Sequence, residues 1–421
     1  MKPKILMKRL VMGALISDQR RALKHLGGRL KRRGAPVVHY FHQVDDPYSH
    51  LAAQKLFDLF QRYTVKFEYH LAGPPTSEEQ GDSNRFTTWA LNDARSIAPF
   101  YDTNLPTQID QPSTDQVAAA ERYLAGYLAT SEFPERAVEV GQKLWSGNVD
   151  VDGPSTNAMR EGTQLRHKLG HWLGATFFFE GEWYWGVDRL VHLENRMKDM
   201  GLSRDTSGIC VPRPEPETVD GAAGDIRLEY FPSLRSPYTA ISYDRTMAMV
   251  RRTGVQLDLR PVMPMMMRGI PAPQSKQIYI MTDTKREADY YGQAFGPIID
   301  PFGEPVKRAF SLLPYMIEQN KAEDYCGEYL RSAWTKGVDI TEEPGLRQVV
   351  EAAGCNWSAA KASMDNPDWT QLLEDNVADM LSLGLWGVPS FRVTGGDQPP
   401  FSCWGQDRLW LVETDIARRT K

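Results

Sequence analysis

Two kinds of hydrophobic pattern alternate along most of this chain. Short, dense apolar runs such as "VVHYFH" (Val37 to His42) and "IRLEYF" (Ile226 to Phe231) predict strands. Each is followed by an X-Pro junction, Asp46-Pro47 in the first case and Ser236-Pro237 in the second. Proline is tolerated in a first helical turn because its missing N–H would have no intrahelical partner there. Beyond the junctions apolar residues recur at helical spacing, through Ala53, Phe57 and Phe60 and through Ala240, Tyr243, Met247 and Val250, so each junction opens a predicted helix. Second strands follow at "VKFEYHLA" (Val65 to Ala72) and "VQLDLRPV" (Val255 to Val262), then largely helical middles. Late in the chain, Asp365-Asn366-Pro367 predicts the cap of a helix carrying Trp369, Leu373, Val377 and Met380, with Gly384 as its terminator. "GVPSFRV", a Gly/Pro turn, "SCW" and a last helix from near Gly405 complete the pattern. The order β-α-β, inserted helices, β-β-α is an α/β layer arrangement with helices on a mixed sheet.

The pattern occurs twice. An offset of 190 residues places Tyr40-Phe41 on Tyr230-Phe231, Pro47-Tyr48 on Pro237-Tyr238, Val65 on Val255 and Asp93 on Asp283. Further on, "WSGNVDV" (Trp145 to Val151) aligns with "WTKGVDI" (Trp334 to Ile340), and "WGVDRL" (Trp185 to Leu190) with "WGQDRL" (Trp404 to Leu409). Each match is weak, but their shared order reads as a tandem duplication. The stretch Ser203 to Asp225 between the copies is proline-rich and reads as an extended, semi-rigid spacer. The expected organisation is a basic arm over 1–34, a first domain over 35–202, a linker over 203–225 and a second domain over 226–421.

Composition narrows the function classes. At 421 residues, 41% hydrophobic and 24% charged, the chain is globular and long enough for two cores. A net charge of -5 offers nucleic acid no overall attraction, and no uncharged apolar run approaches membrane-spanning length. The first 33 residues differ, with eleven Lys or Arg against one acid, Asp18. That segment reads as a solvated basic helix packed on the body, as a weak contact to an anionic membrane surface, or as a targeting segment. Cys210, Cys326, Cys355 and Cys403 form no C-x-x-C pair, which suits a reducing compartment and a cytoplasmic location. His167 and His171 stand four apart but lack a third ligand, so no metal is expected there.

Three places bear on chemistry. A helix N-terminus carries unpaired N–H groups and partial positive charge, so it favours anions and thiolates. Ser236 stands at one; its hydroxyl either caps the helix or donates to such an anion. Pro389, in "GVPSF", is a turn proline, or, if cis, leaves the Val388 backbone open to a peptide-like ligand. Gln406 and Asp407 open the last helix, as solvated first-turn residues or as groups for an α-ammonium and carboxylate.

Taken together, the strand, the Ser-Pro-Tyr helix start, "GVP-x-F" and a late "WGQDRL" resemble the DsbA-like thioredoxin-fold superfamily. Within it they resemble the branch of 2-hydroxychromene-2-carboxylate isomerases and kappa-class glutathione transferases. The resemblance covers residues 226 to 415 well and residues 36 to 200 in outline. It implies two tandem thioredoxin-like domains, each with an inserted helical subdomain. Position by position it implies that Ser236 hydrogen-bonds the sulfur of glutathione. It further implies that Pro389 is cis with Val388 pairing to the cysteinyl backbone, that Gln406 and Asp407 hold the γ-glutamyl end, and that Lys276 lies near the ligand. The asparagine common in the branch is not evident in "MMMRGIPAP", which puts the glycyl end of the site in doubt. The first copy has Asp46 for the serine, "LGATFFF" without a proline and Val187 in place of Gln406, and reads as a degenerate copy kept for packing.

The resemblance implies a glutathione-dependent isomerase or transferase acting on a hydrophobic or aromatic electrophile. Two rivals are a non-catalytic thioredoxin-fold scaffold and a DsbA-family oxidoreductase by fold kinship alone. The chain is expected to be a homodimer, or a monomer whose two copies pack as an internal pseudo-dimer.

Overall fold

The computed structural model describes residues 2–32, 34–107, 111–221 and 224–421; Met1 and Arg33 of the arm and Ala222-Ala223 of the linker lie outside them. Two compact units emerge: Arg21–Pro214 with Ala272–Lys276, and Met1–Arg20 with Glu215–Pro271 and Gln277–Lys421. The first contains β1 (Val37–His42), β2 (Lys66–Leu71), β3 (Thr176–Phe179) and β4 (Glu182–Trp185), in the order β2-β1-β3-β4. β1 and β2 run parallel, while β1/β3 and β3/β4 are antiparallel. The second contains β5 (Arg227–Phe231), β6 (Gln256–Leu259), β7 (Ser390–Thr394) and β8 (Phe401–Trp404), with the same order and polarity, β6-β5-β7-β8.

A parallel strand pair needs a crossover, supplied in each unit by the helix after the X-Pro junction, Pro47–Arg62 and Pro237–Thr253. Asp46 and Ser236 are the N-caps, each with extended backbone, and proline takes the first helical position. The inserted helices run from Ser77–Gln80 to Ala158–Leu169 in the first unit and from Gln274–Tyr290, which enters the second unit at Gln277, to Asp368–Ser382 in the second. The Asp365-Asn366-Pro367 start holds: the Asn366 side chain accepts the Asp368 N–H at 3.0 Å, and Gly384 takes a positive φ of 75° at the far end.

In the second unit Leu228, Tyr230, Phe391 and Val393 of β5 and β7 are fully buried, and the Tyr230 and Phe391 rings stack at 5.0 Å. Complete burial of a Leu or Phe side chain contributes about 2 kcal/mol, so this strand pair anchors the core beneath the helix carrying Tyr243 and Met247.

The structure adds detail to three of these readings. In the helix Pro47–Arg62 the buried stripe runs through Leu51, Ala53, Leu56 and Leu59, whereas Phe57 is 61% exposed and Phe60 40%; the apolar repeat marks the helix but large residues lie on both of its faces. Parts of the Ser203–Asp225 stretch are hydrogen-bonded to the unit they belong to. Ser203 bridges Tyr63, the Cys210 and Val211 N–H groups donate to the Glu194 carboxylate at 2.7 and 2.8 Å, and the Glu217 N–H donates to Thr414 Oγ1 at 3.0 Å. The division between units falls at Pro214–Glu215. The basic arm forms two helices, Pro3–Leu15 and Asp18–Lys31, and the division at Arg20–Arg21 falls within the second. No helix among the described residues is long and apolar enough to cross a membrane.

Candidate functional site

In the second unit the start of the helix Pro237–Thr253 meets the entry to β7. Ser236 Oγ accepts the Thr239 N–H at 3.1 Å and lies 3.5 Å from the Val388 carbonyl oxygen. The cap reading of Ser236 is therefore correct, and the hydroxyl proton has only a long contact to Val388 O, leaving it available to a better acceptor. The Val388–Pro389 peptide bond is cis. Among the described residues the Val388 N–H has no hydrogen-bond partner, whereas Pro389 O accepts the Gly405 N–H at 2.9 Å. Gly387 allows this approach: a Cβ there would fall 1.8 Å from Trp404 Cε2, and Trp404 is itself packed on Trp386.

Gly405, with φ of 120°, turns the chain out of β8 into a short 3-10 turn, Gln406–Arg408, which packs against the helix Pro237–Thr253. Gln406 is 1% exposed, and its amide nitrogen donates to Glu287 Oε2 at 2.6 Å. Its amide oxygen is buried without a partner among the described residues, an unusual state for a buried polar atom. Asp407 stays near the surface, 3.9 Å from the Arg408 guanidinium. Thus Ser236, Val388 and Pro389 meet, and the Gly405 N–H ties Pro389 to the turn that carries Gln406 and Asp407.

Sequence reasoning missed Glu287 and Arg268. Glu287 is fully buried on the inserted helix Gln274–Tyr290, where nothing local distinguishes it from a solvated acid. Arg268 ends the "MMMR" turn and donates to the carbonyls of Met263 and Trp386, which brings a guanidinium beside the residue before Gly387. Burial lowers its pKa to about 10, so it keeps its charge at neutral pH. Arg235, next to Ser236, forms a bidentate pair with Asp300 and also contacts Met266 Sδ at 3.4 Å. A cavity of about 360 Å³ in this unit shares Asp300 and is lined by Met12, Ile299 and Phe302, but not by Ser236, Val388 or Gln406.

Residues 227–417 match the family model described as DSBA-like thioredoxin domain. The second module is a DSBA-like thioredoxin domain. Among solved structures, a 2-hydroxychromene-2-carboxylate isomerase is similar at 20% identity over 46% of this chain and 95% of its own, with a TM-score of 0.39. The cytosolic disulfide reductase DsbM from Pseudomonas aeruginosa is similar at 19% identity over 46% and 95% of the two chains, TM-score 0.35, and was also solved with GSH. A probable DsbA oxidoreductase from Streptomyces coelicolor is similar at 17% identity over 46% and 89%, TM-score 0.36. No curated protein matches the chain significantly.

Neither helix start in the chain carries a cysteine, so the DSBA-like domain has no thiol of its own at this place. All four cysteines are free; burial pushes Cys326 and Cys210 up to about 12, which keeps both as inert thiols. Lys276, which the resemblance places near the ligand, instead belongs to the compact unit of the first module. There its amine donates to the Glu79 carbonyl at 2.9 Å and stands 6.0 Å from the Trp172 ring, and burial lowers it to about 8.

The first module fills the corresponding place with its own side chains. The Asp46 carboxylate accepts the N–H groups of Tyr48 and Ser49 and the Ser49 hydroxyl, at 3.3, 3.0 and 2.8 Å. Ser49 Oγ in turn accepts the N–H groups of Gln43 and Ala175. A Cβ on Gly174 would meet Gln43 and Asp46 at 2.6 and 3.0 Å, so no room remains for a ligand atom there. The histidine pair weighed as a metal site is split: His167 is paired with Glu79 on the surface, while His171 is buried against Trp172 and Trp183.

Proposed function

We propose that the DSBA-like domain binds glutathione and catalyses isomerisation or conjugation of a hydrophobic electrophile. The observation that carries this reading is the pairing of a helix-capping hydroxyl, Ser236, with a module that has no cysteine at the helix start. A site built to stabilise sulfur anion without owning one calls for a borrowed thiol. Glutathione, when bound, would supply a thiolate that adds to the electrophilic carbon and either leaves again or stays attached.

The chain's own residues would divide the remaining work. Ser236 and the helix N-terminus would favour the ionised sulfur, which at neutral pH is otherwise the minor form of a thiol. The unpaired Val388 N–H would bind the peptide portion, and the orphaned Gln406 amide oxygen would accept an α-ammonium proton, with Glu287 fixing the amide orientation. Arg268 supplies a positive charge for a carboxylate, a role left vacant by the missing asparagine. The methionines at 263, 266 and 267 offer a soft apolar surface suited to an aromatic or hydrophobic substrate.

Calorimetric titration of the whole protein with reduced glutathione tests this. Saturable binding is expected, weakened about tenfold or more by Gln406→Leu, which removes the orphaned acceptor. A flat titration of the unaltered protein would instead favour the scaffold reading.

A membrane-surface contact is also proposed, for the first helix. Pro3–Leu15 packs Ile5, Met12 and Leu15 on the core, yet leaves Leu6, Met7, Leu10 and Val11 between 46% and 62% exposed on another face. Lys8 is exposed among them, and no acid precedes Asp18. An apolar strip set in basic charge suits an anionic lipid surface. The protein should sediment with vesicles containing phosphatidylglycerol and not with phosphatidylcholine alone, and Leu10→Glu should cut partitioning about tenfold. Equal sedimentation with both vesicle types would refute the contact.

A further inference from the structure

Alternation along β1 and β2 brings three metal-ligating side chains of the first module to one face of its sheet. The parallel register sets His39 opposite Glu68 and Phe41 opposite His70, so the two histidines and the acid form a diagonal cluster on neighbouring strands. His39 Nδ1 lies 3.1 Å from His70 Nε2 and 3.4 Å from Glu68 Oε2. All three ligand atoms fall within 4.8 Å of one another, and all three residues are partly accessible. The signal in the sequence was the x-His-x spacing in "VVHYFH" facing Glu-x-His in "KFEYHL", which becomes meaningful only once the strands are known to be adjacent and in this register.

We propose that His39, Glu68 and His70 form a binding site for a divalent first-row transition ion, with zinc as the best fit. Zinc bonds of about 2.0–2.1 Å in a tetrahedron set neighbouring ligand atoms about 3.3 Å apart, and the two separations at His39 Nδ1 bracket that figure. The third edge closes by rotation of the Glu68 side chain, which is 35% exposed. Hydrogen bonding alone satisfies the cluster poorly. Both close contacts converge on His39 Nδ1, and one ring nitrogen carries at most one proton, whereas an ion at their centre satisfies all three groups.

The surroundings suit this assignment. The His70 ring stacks on Phe41 at 4.8 Å and on His39 at 5.3 Å, which fixes both imidazoles. Burial also holds both histidines below their ordinary pKa, in the neutral form that binds metal. Lys66 takes the other carboxylate oxygen, Oε1, at 2.7 Å and is 63% exposed, so it leaves Oε2 to the ion and can swing outward. Three protein ligands leave a position open to water or to a small ligand. The site is remote in kind from the sulfur chemistry proposed for the DSBA-like domain and does not rest on it.

Cobalt(II) serves as the spectroscopic probe, added to the full-length protein after dialysis against a chelator. One equivalent should produce the intense visible bands of a low-coordinate site, and zinc should displace them. His39→Gln and His70→Gln should each abolish the bands, with His167→Gln as the control that leaves them intact. Should the histidine variants misfold, Glu68→Gln preserves shape and must still weaken cobalt binding about tenfold or more. The proposal is overturned if the unaltered protein shows only the faint spectrum of hydrated cobalt, if the bands survive in the His39/His70 double variant, or if Glu68→Gln binds as well as the parent.

Discussion

Ser236→Ala should raise the pKa of glutathione thiol bound to the DSBA-like domain by about one to two units and lower turnover at pH 7 by about ten- to a hundredfold. A hydrogen bond to a charged group is worth about 1.5–3 kcal/mol, and one pKa unit corresponds to about 1.4 kcal/mol. The sign follows from the charge: the hydroxyl stabilises only the ionised sulfur, so its removal favours the thiol. The acid limb of the pH–rate profile should therefore move upward, and the variant should recover much of its activity above the new pKa. The same substitution removes a helix cap, which costs about 1 kcal/mol, so a second variant is needed to separate the two effects. Ser236→Asp copies the first module. An aspartate caps as well as serine but sets negative charge against the sulfur, so the cap is kept, at the cost of burying a carboxylate, while the bound thiol rises further than in the alanine variant. The ultraviolet absorbance of the thiolate reads the pKa directly. If neither substitution moves that absorbance or the turnover, the hydroxyl has no part in the chemistry.

The frame of both modules was legible because its determinants are local. The X-Pro junctions, the dense β runs and the turn into "WGQDRL" each specify geometry from a few neighbouring residues, and the sheets assemble in the order those elements imply. Ser236, Val388, Pro389 and Gln406 each sit at the end of such an element, but local pattern alone reads them as a cap, a turn and a first helical turn, and only the resemblance singles them out as site residues. What escaped was whatever depends on packing. Lys276 lies at the start of an inserted helix whose first residues join the first unit, a choice that no local pattern encodes. Glu287 and Arg268 become site residues only through contacts made 119 and 118 positions away, with Gln406 and Trp386. Phe57 and Phe60 show the converse: a helix with large apolar residues on two faces does not reveal by period alone which face is covered.

Asp46→Asn should stabilise the first module at pH 7.5 by about 2 kcal/mol and leave it unchanged or slightly weaker at pH 4. Asp46 is buried, and burial raises its carboxyl from 3.8 to about 6 against the opposing pull of hydrogen bonds from Ser49 and Tyr48. A carboxyl whose folded pKa lies above its unfolded value favours folding while protonated. That contribution is complete below pH 4 and is lost as the pH rises through 6, so at pH 7.5 the folded module carries a penalty of about 3 kcal/mol. Asparagine keeps the shape and caps equally well, but it cannot accept the Ser49 hydroxyl proton through its amide nitrogen, which returns about 1 kcal/mol. His42 and His50, which burial lowers to about 3 and about 4, weaken the module in acid to the same extent in both proteins and cancel from the comparison. Hydrogen exchange of the amides in Pro47–Arg62, measured in the full chain, isolates this module from the other. Slower exchange in the variant at pH 7.5, converging with the parent at pH 4, would mean that the first module pays for keeping a carboxylate where its counterpart keeps a hydroxyl. Faster exchange at pH 7.5 would instead show that the three donors around Asp46 outweigh its burial, making this helix start a site that already holds its own anion.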